Sequence, residues 1–174
     1  MSTNIIPQQE IEAVANTYLQ LSQQYTTLLE SMTETALNTK PDTEGWTAAQ
    51  VVQHIVKANN SKIFTTPGQA ASRNISERIP ELRQLFLNFD IKMKSPEFIL
   101  PEDKPYSKEV LINAVKNAFK SLAEALPQCN LNEEDTRTLG NITKWEMANF
   151  IVFHSQRHLH QLEEIYKSLK TKNG

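Results

Sequence analysis

Of the four histidines in this chain, His154 and His158 lie four residues apart in the segment Phe150-Ile-Val-Phe-His154-Ser-Gln-Arg-His158. Four residues is a little over one helical turn, so on a helix both imidazoles project from the same side. That side also carries Phe150, Ile151, Leu162 and Ile165, which turns it inward. Two buried imidazoles are costly unless something satisfies their nitrogens. A divalent metal does so economically, because each neutral ring offers it a lone pair.

His54 is the expected third ligand. It sits on an apolar stripe with Val51, Ile55 and Ala58. Alone, an inward histidine reads as a core residue bonded to a backbone carbonyl. With two more imidazoles facing inward from another helix, it completes a three-nitrogen cap that leaves coordination positions for water or substrate. That is the pattern of a catalytic site, not of a closed structural one. No thiolate joins the set, which is compatible with zinc, nickel, copper or iron and does not choose among them. His160 is the rival ligand. It lies six residues after His154, about 240° around the helix, among Gln156, Glu163 and Lys167, and reads as a solvated surface histidine.

Gln161 borders the same face and is placed to bond a ligand water or a group behind the ligands; the competing reading is a boundary glutamine facing solvent. Arg157 flanks the site, either to steer an anion or, more simply, to form a surface salt bridge. Trp46 reads as structural, packing over the first turn of its helix. Trp145 and Phe153 wall a pocket or, more simply, fill the core. Glu146 is expected to be spent on helix capping, and no inward carboxylate stands as an evident general base.

Four helices must position these groups. The first carries Ile11, Val14, Ala15, Tyr18, Leu21, Tyr25, Leu28, Leu29 and Met32 at three- and four-residue steps. The second opens with Thr47 and Gln50 as a capping box, and the fourth with Thr143 and Glu146, with Ile142 and Met147 as a hydrophobic staple. The third begins at Ser107, has Val110, Leu111, Ala114, Val115, Ala118, Leu122 and Ala125 as its stripe, and stops at Pro127. The fourth is expected to run to about Leu169 and then fray. A short polar connector, Asn38 to Trp46, predicts that helices one and two are antiparallel neighbours. Residues 66 to 106, with five prolines, predict a long crossover holding a short helix near Ser76–Phe89. The expected fold is all-α: one domain over residues 1–174, a four-helix bundle of up-down-down-up type with a long crossover between helices two and three.

Composition narrows the function classes. A net charge of −2 gives no electrostatic case for nucleic acid. The lone Cys129 allows no intrachain disulfide and predicts a reducing compartment. The N-terminal residues Met1–Pro7 have no basic region or long apolar run, and no stretch reaches membrane-spanning length, so a soluble cytoplasmic protein is expected.

The stretches Trp46-Thr-Ala-Ala-Gln50-Val-Val-Gln-His54 and His154-Ser-Gln-Arg-His158-Leu-His-Gln161 resemble the DinB-like superfamily of metal-binding four-helix bundles. Members typically show W-[ST]-x-x-[EQ]-[VIL]-x-x-H opening helix two and H-x-x-x-H in the last helix. Lys92–Pro101 is also similar to the crossover of one subgroup. The resemblance implies that His54, His154 and His158 are the metal triad. It also implies a thiol-handling enzyme: a transferase joining a low-molecular-weight thiol such as bacillithiol, mycothiol or glutathione to a small electrophile, or a thiol-dependent isomerase. The metal would lower the thiol's pKa. Other relatives point to hydrolysis by metal-activated water. A non-enzymatic binding or interaction bundle, as a homodimer, is the remaining alternative. The sequence departs from the commoner H-x-x-x-H-R-G-Q ending, having Leu159-His160-Gln161 after His158.

Overall fold

The computed structural model describes residues 5–41, 45–135 and 140–172. Parts of the two connectors 38–46 and 127–142, the first four residues of Met1–Pro7 and the last two of the expected fraying tail lie outside them. Seven helices occur there: α1 (Gln8–Glu30), α2 (Glu34–Leu37), α3 (Ala48–Ala58), α4 (Lys62–Thr65), α5 (Ile79–Phe86), α6 (Lys108–Ala125) and α7 (Lys144–Lys172). A single 3-10 turn, Glu97–Ile99, breaks the stretch between α5 and α6. No helix among the described residues is long and apolar enough to cross a membrane.

The all-α expectation holds for the body of the molecule. It needs one correction, a three-stranded antiparallel sheet formed by β1 (Gln69–Ala70), β2 (Glu133–Asp135) and β3 (Ile142–Thr143). Gln69 pairs with Glu134, which pairs in turn with Thr143. Strands this short show no alternating pattern, and β1 finds its partner more than sixty residues away in sequence. Gly68 permits the approach: a Cβ there would stand 2.5 Å from the Glu134 carbonyl oxygen.

The long helices pack around one core that includes Tyr18, Tyr25, Ile55, Phe119, Leu122, Ile151 and Leu162. Their directions follow from specific contacts. Tyr18 Oη donates to the Ala148 carbonyl at 2.8 Å and Tyr25 Oη to that of Ser155 at 2.7 Å, so α1 and α7 run the same way. Lys108 Nζ donates to the Met32 carbonyl at 3.0 Å while Phe119 meets Tyr25, so α6 opposes α1. Trp46 packs near His158 and Asn59 Nδ2 bonds Ser155 Oγ, so α3 opposes α7. α1 and α3 each pack chiefly on α6 and α7 and much less on one another. The short connector predicts direct neighbours; α6 and α7 instead stand between them.

Two capping boxes begin the site helices as their sequences predict. Thr47 and Gln50 bond reciprocally at 2.9 and 3.1 Å, and Thr143 and Glu146 at 3.0 and 3.1 Å. On α6 the buried stripe is Leu111, Val115, Phe119 and Leu122. Val110, expected inside, is 63% exposed. Phe119 takes the place that the smaller Ala118 was expected to hold, because the larger ring buries more apolar area. α7 stays helical to Lys172, three residues beyond the expected end at Leu169.

Candidate metal centre

His54, His154 and His158 come together where α3 crosses α7. All three are buried, and their candidate ligand nitrogens lie within 4.8 Å of one another. His54 Nε2 and His154 Nε2 are 3.2 Å apart. Two nitrogens each about 2.1 Å from one ion, at tetrahedral angles, stand about 3.4 Å apart. The separation therefore suits a shared ion.

The far side of each ring decides its chemistry. His54 Nδ1 donates to the Ile99 carbonyl at 3.0 Å, which leaves its lone pair on Nε2. The 3-10 turn that carries Ile99 is held to α3 by Lys57 Nζ, which donates to the Leu100 carbonyl at 2.7 Å. Gln53 Oε1 also accepts from the Glu102 amide at 2.7 Å. His158 Nδ1 donates to Gln161 Oε1 at 2.8 Å, leaving its Nε2 as the lone-pair atom. His154 Nδ1 is buried without a hydrogen-bond partner. Only one proton, on His154, is then left to satisfy the lone pairs of its two neighbours. Neutral imidazoles cannot resolve that deficit among themselves, whereas a cation accepts a lone pair from each. The donor set fits a divalent ion.

Electrostatics keep the rings neutral. Burial pushes His54 below its usual range, against the raising effect of the Ile99 carbonyl. Burial, then His158, His54 and Arg157, hold His154 well below it. Burial and the neighbouring His54 push His158 down to about 3. Neutral rings are the ligand form.

Aromatic rings surround the triad, and they are not the two singled out from the sequence. The Trp46 indole lies 4.9 Å from the His54 ring and 6.4 Å from that of His158. Phe150 stacks on His154 at 5.2 Å, and Phe86 of α5 meets the same imidazole edge-on at 5.9 Å. Trp145 and Phe153 belong to the hydrophobic core. Phe150 was legible on the inward face of its helix. Phe86 was legible only as a core residue of the crossover helix, because nothing in sequence ties α5 to the triad.

The flanking residues also differ from simple expectation. Arg157 forms no salt bridge among the described residues. Its guanidinium donates to backbone carbonyls of the turn after α5. His160 is half-buried, not fully solvated, with Phe89 stacked on it at 4.1 Å. Cys129 is half-buried beside Lys144 and Glu133, and burial pushes its thiol up to about 11.

The model of the DinB superfamily matches residues 18–162, and the chain belongs to that superfamily. Neither a curated protein nor a solved structure matches the chain.

Proposed function

We propose that the protein is a metal-dependent enzyme in which His54, His154 and His158 hold a divalent ion, zinc or nickel. Its substrates would be a small thiol and a small electrophile. The helix directions support reading α1, α3, α6 and α7 as an up-down-down-up bundle with this centre between α3 and α7. One observation carries the proposal: three buried, neutral imidazoles converge with more lone pairs than protons to share. When bound, such an ion supplies a Lewis-acid position at which a thiol loses its proton well below its ordinary value of about 8.5.

The chain's own groups bind and orient. Ile99 and Gln161 fix the tautomers of His54 and His158 so that their Nε2 atoms carry the lone pairs. Trp46, Phe86 and Phe150 shield the rings and lower the local dielectric. Among the described residues no carboxylate joins the three rings within ligand range. The proton of a metal-bound thiol would then pass to solvent. In the transfer step the sulfur forms a bond to the electrophilic carbon, and the leaving group departs with its electron pair.

The test has two stages. Protein purified without an affinity tag is assayed for metal; a stoichiometric ion supports the centre, and a stable fold with no uptake of zinc or nickel overturns it. The metal-loaded protein is then offered a panel of thiols and electrophiles. Metal-dependent adduct formation supports transfer. Hydrolysis that is indifferent to added thiol overturns it in favour of water activation.

A further inference from the structure

Arg157 is next to His158 in sequence and three residues from His154, yet its guanidinium turns to the backbone that follows α5. Nη1 donates to the Asn88 carbonyl at 2.8 Å and to that of Phe86 at 3.4 Å, and Nη2 donates to that of Ile91. The same turn is fastened to α7 by two rings. Phe86 meets Phe150 edge-on at 4.8 Å and His154 at 5.9 Å, and Phe89 stacks on His160 at 4.1 Å. Its outward side is unusually apolar, with Leu85, Phe89 and Ile91 between 37% and 45% exposed. Phe86 is buried, but the turn beyond it leaves much apolar surface in water and relies on its anchors. Arg157 reaches more of its carbonyls than any other side chain described, and charge-assisted bonds of this kind are the stronger ones.

We propose that Arg157 is a positioning residue that latches the 86–91 turn across the His154 side of the triad. The latch sets how fast the centre exchanges its ion. Trp46 stands over the His54–His158 side, so the Phe86 side is the one covered by the turn that Arg157 holds. The inference rests on the metal reading above and adds a gate to it. Freed from Arg157, the turn opens more often, Phe86 leaves His154, and water and competing ligands reach the ion.

The test uses the full chain loaded with zinc and measures release to an excess of a chromogenic chelator. Arg157→Gln and Phe86→Ala are each expected to keep one zinc per chain; Arg157→Gln should release it about ten-fold faster, the factor that loss of one charge-assisted contact gives, and Phe86→Ala should also release it faster, through loss of the cover itself. The double variant should be no faster than the faster single one, because both act through one turn. A wild-type rate in Arg157→Gln overturns the latch, and so do multiplicative effects in the double variant. If the wild-type protein takes up no metal, the metal reading fails separately. Hydrogen exchange at residues 87–91 of the metal-free protein then decides the latch: faster exchange in Arg157→Gln supports it, and unchanged exchange overturns it.

Discussion

Two buried polar clusters lie about two turns apart on α7, and they are built on opposite principles. At the start of the helix Glu146 is fully buried, and each of its carboxylate oxygens takes two donors. Arg73 Nη1 and the Arg78 amide reach Oε1 at 2.6 and 2.8 Å, and Arg73 Nη2 and the Thr143 amide reach Oε2 at 2.7 and 3.0 Å. Burial acts to raise the Glu146 pKa, but Arg73 and the two amides outweigh it and hold the carboxyl below its usual range. At the triad the reverse holds: lone pairs face one another, and His154 Nδ1 has no partner. A saturated cluster holds the fold together, while an unsaturated one keeps valence for a ligand. The first stitches the crossover and the small sheet onto α7; the second leaves lone pairs that a bound ion would take up.

The largest expected effect tests the saturated cluster. Glu146→Ala leaves Arg73 and two amides without their acceptor and is expected to cost about 3 kcal/mol or more of folding stability. Denaturant unfolding measures it, and the loss should be the same with and without metal. A loss below about 1 kcal/mol would mean that the network is solvated and not structural.

At the triad the sign should invert. His154→Leu is expected to abolish zinc uptake by calorimetry while raising the stability of the metal-free protein by about 1 kcal/mol, since it removes an unpaired buried polar atom. His158→Ala should likewise abolish uptake. If metal-free His154→Leu were clearly less stable than wild type, the triad would be a structural core element like Glu146.

Acid separates the clusters by pH. The histidines have folded-state pKa values below their unfolded value of 6.5, so the unfolded chain binds the extra protons. Metal-free stability should therefore be full above pH 6.5 and fall by about 1.4 kcal/mol per pH unit per ring below it, for His158 down to about pH 3. The stabilisation from Glu146 is present above its unfolded value of 4.5 and is lost only below it, where protonation removes the charge that Arg73 pairs. Stability curves of wild type and His154→Leu should thus diverge between pH 6.5 and 4.5, and curves that coincide there would contradict buried neutral imidazoles.

The smallest effects concern neighbours outside both clusters. His160→Ala should leave zinc affinity nearly intact and cost about 0.5 kcal/mol from the lost Phe89 stack. Cys129→Ser should keep both metal and turnover, because a half-buried thiol pushed up to about 11 is protonated at neutral pH. Loss of turnover with metal retained would place the nucleophile on the protein itself.

Much of this is legible in the sequence alone. The spacing of His154 and His158 set both rings on one face, and the apolar stripe of α3 set His54 inward, because helical period and burial are local properties of the chain. Thr47 with Gln50 and Thr143 with Glu146 marked the helix starts for the same reason. What only the tertiary structure decided involves partners distant in sequence. Ile99 was legible only as part of a proline-bounded segment, and nothing there showed that its carbonyl would fix the His54 tautomer. Nothing in the sequence ties Arg73 to Glu146; the crossover folds back to bring them together. Phe86 and the two-residue strand Gln69–Ala70 carry too little pattern to announce what they meet. Periodicity assigns each side chain to a face, but which faces and carbonyls meet depends on how the crossover packs, and that is a property of the whole core.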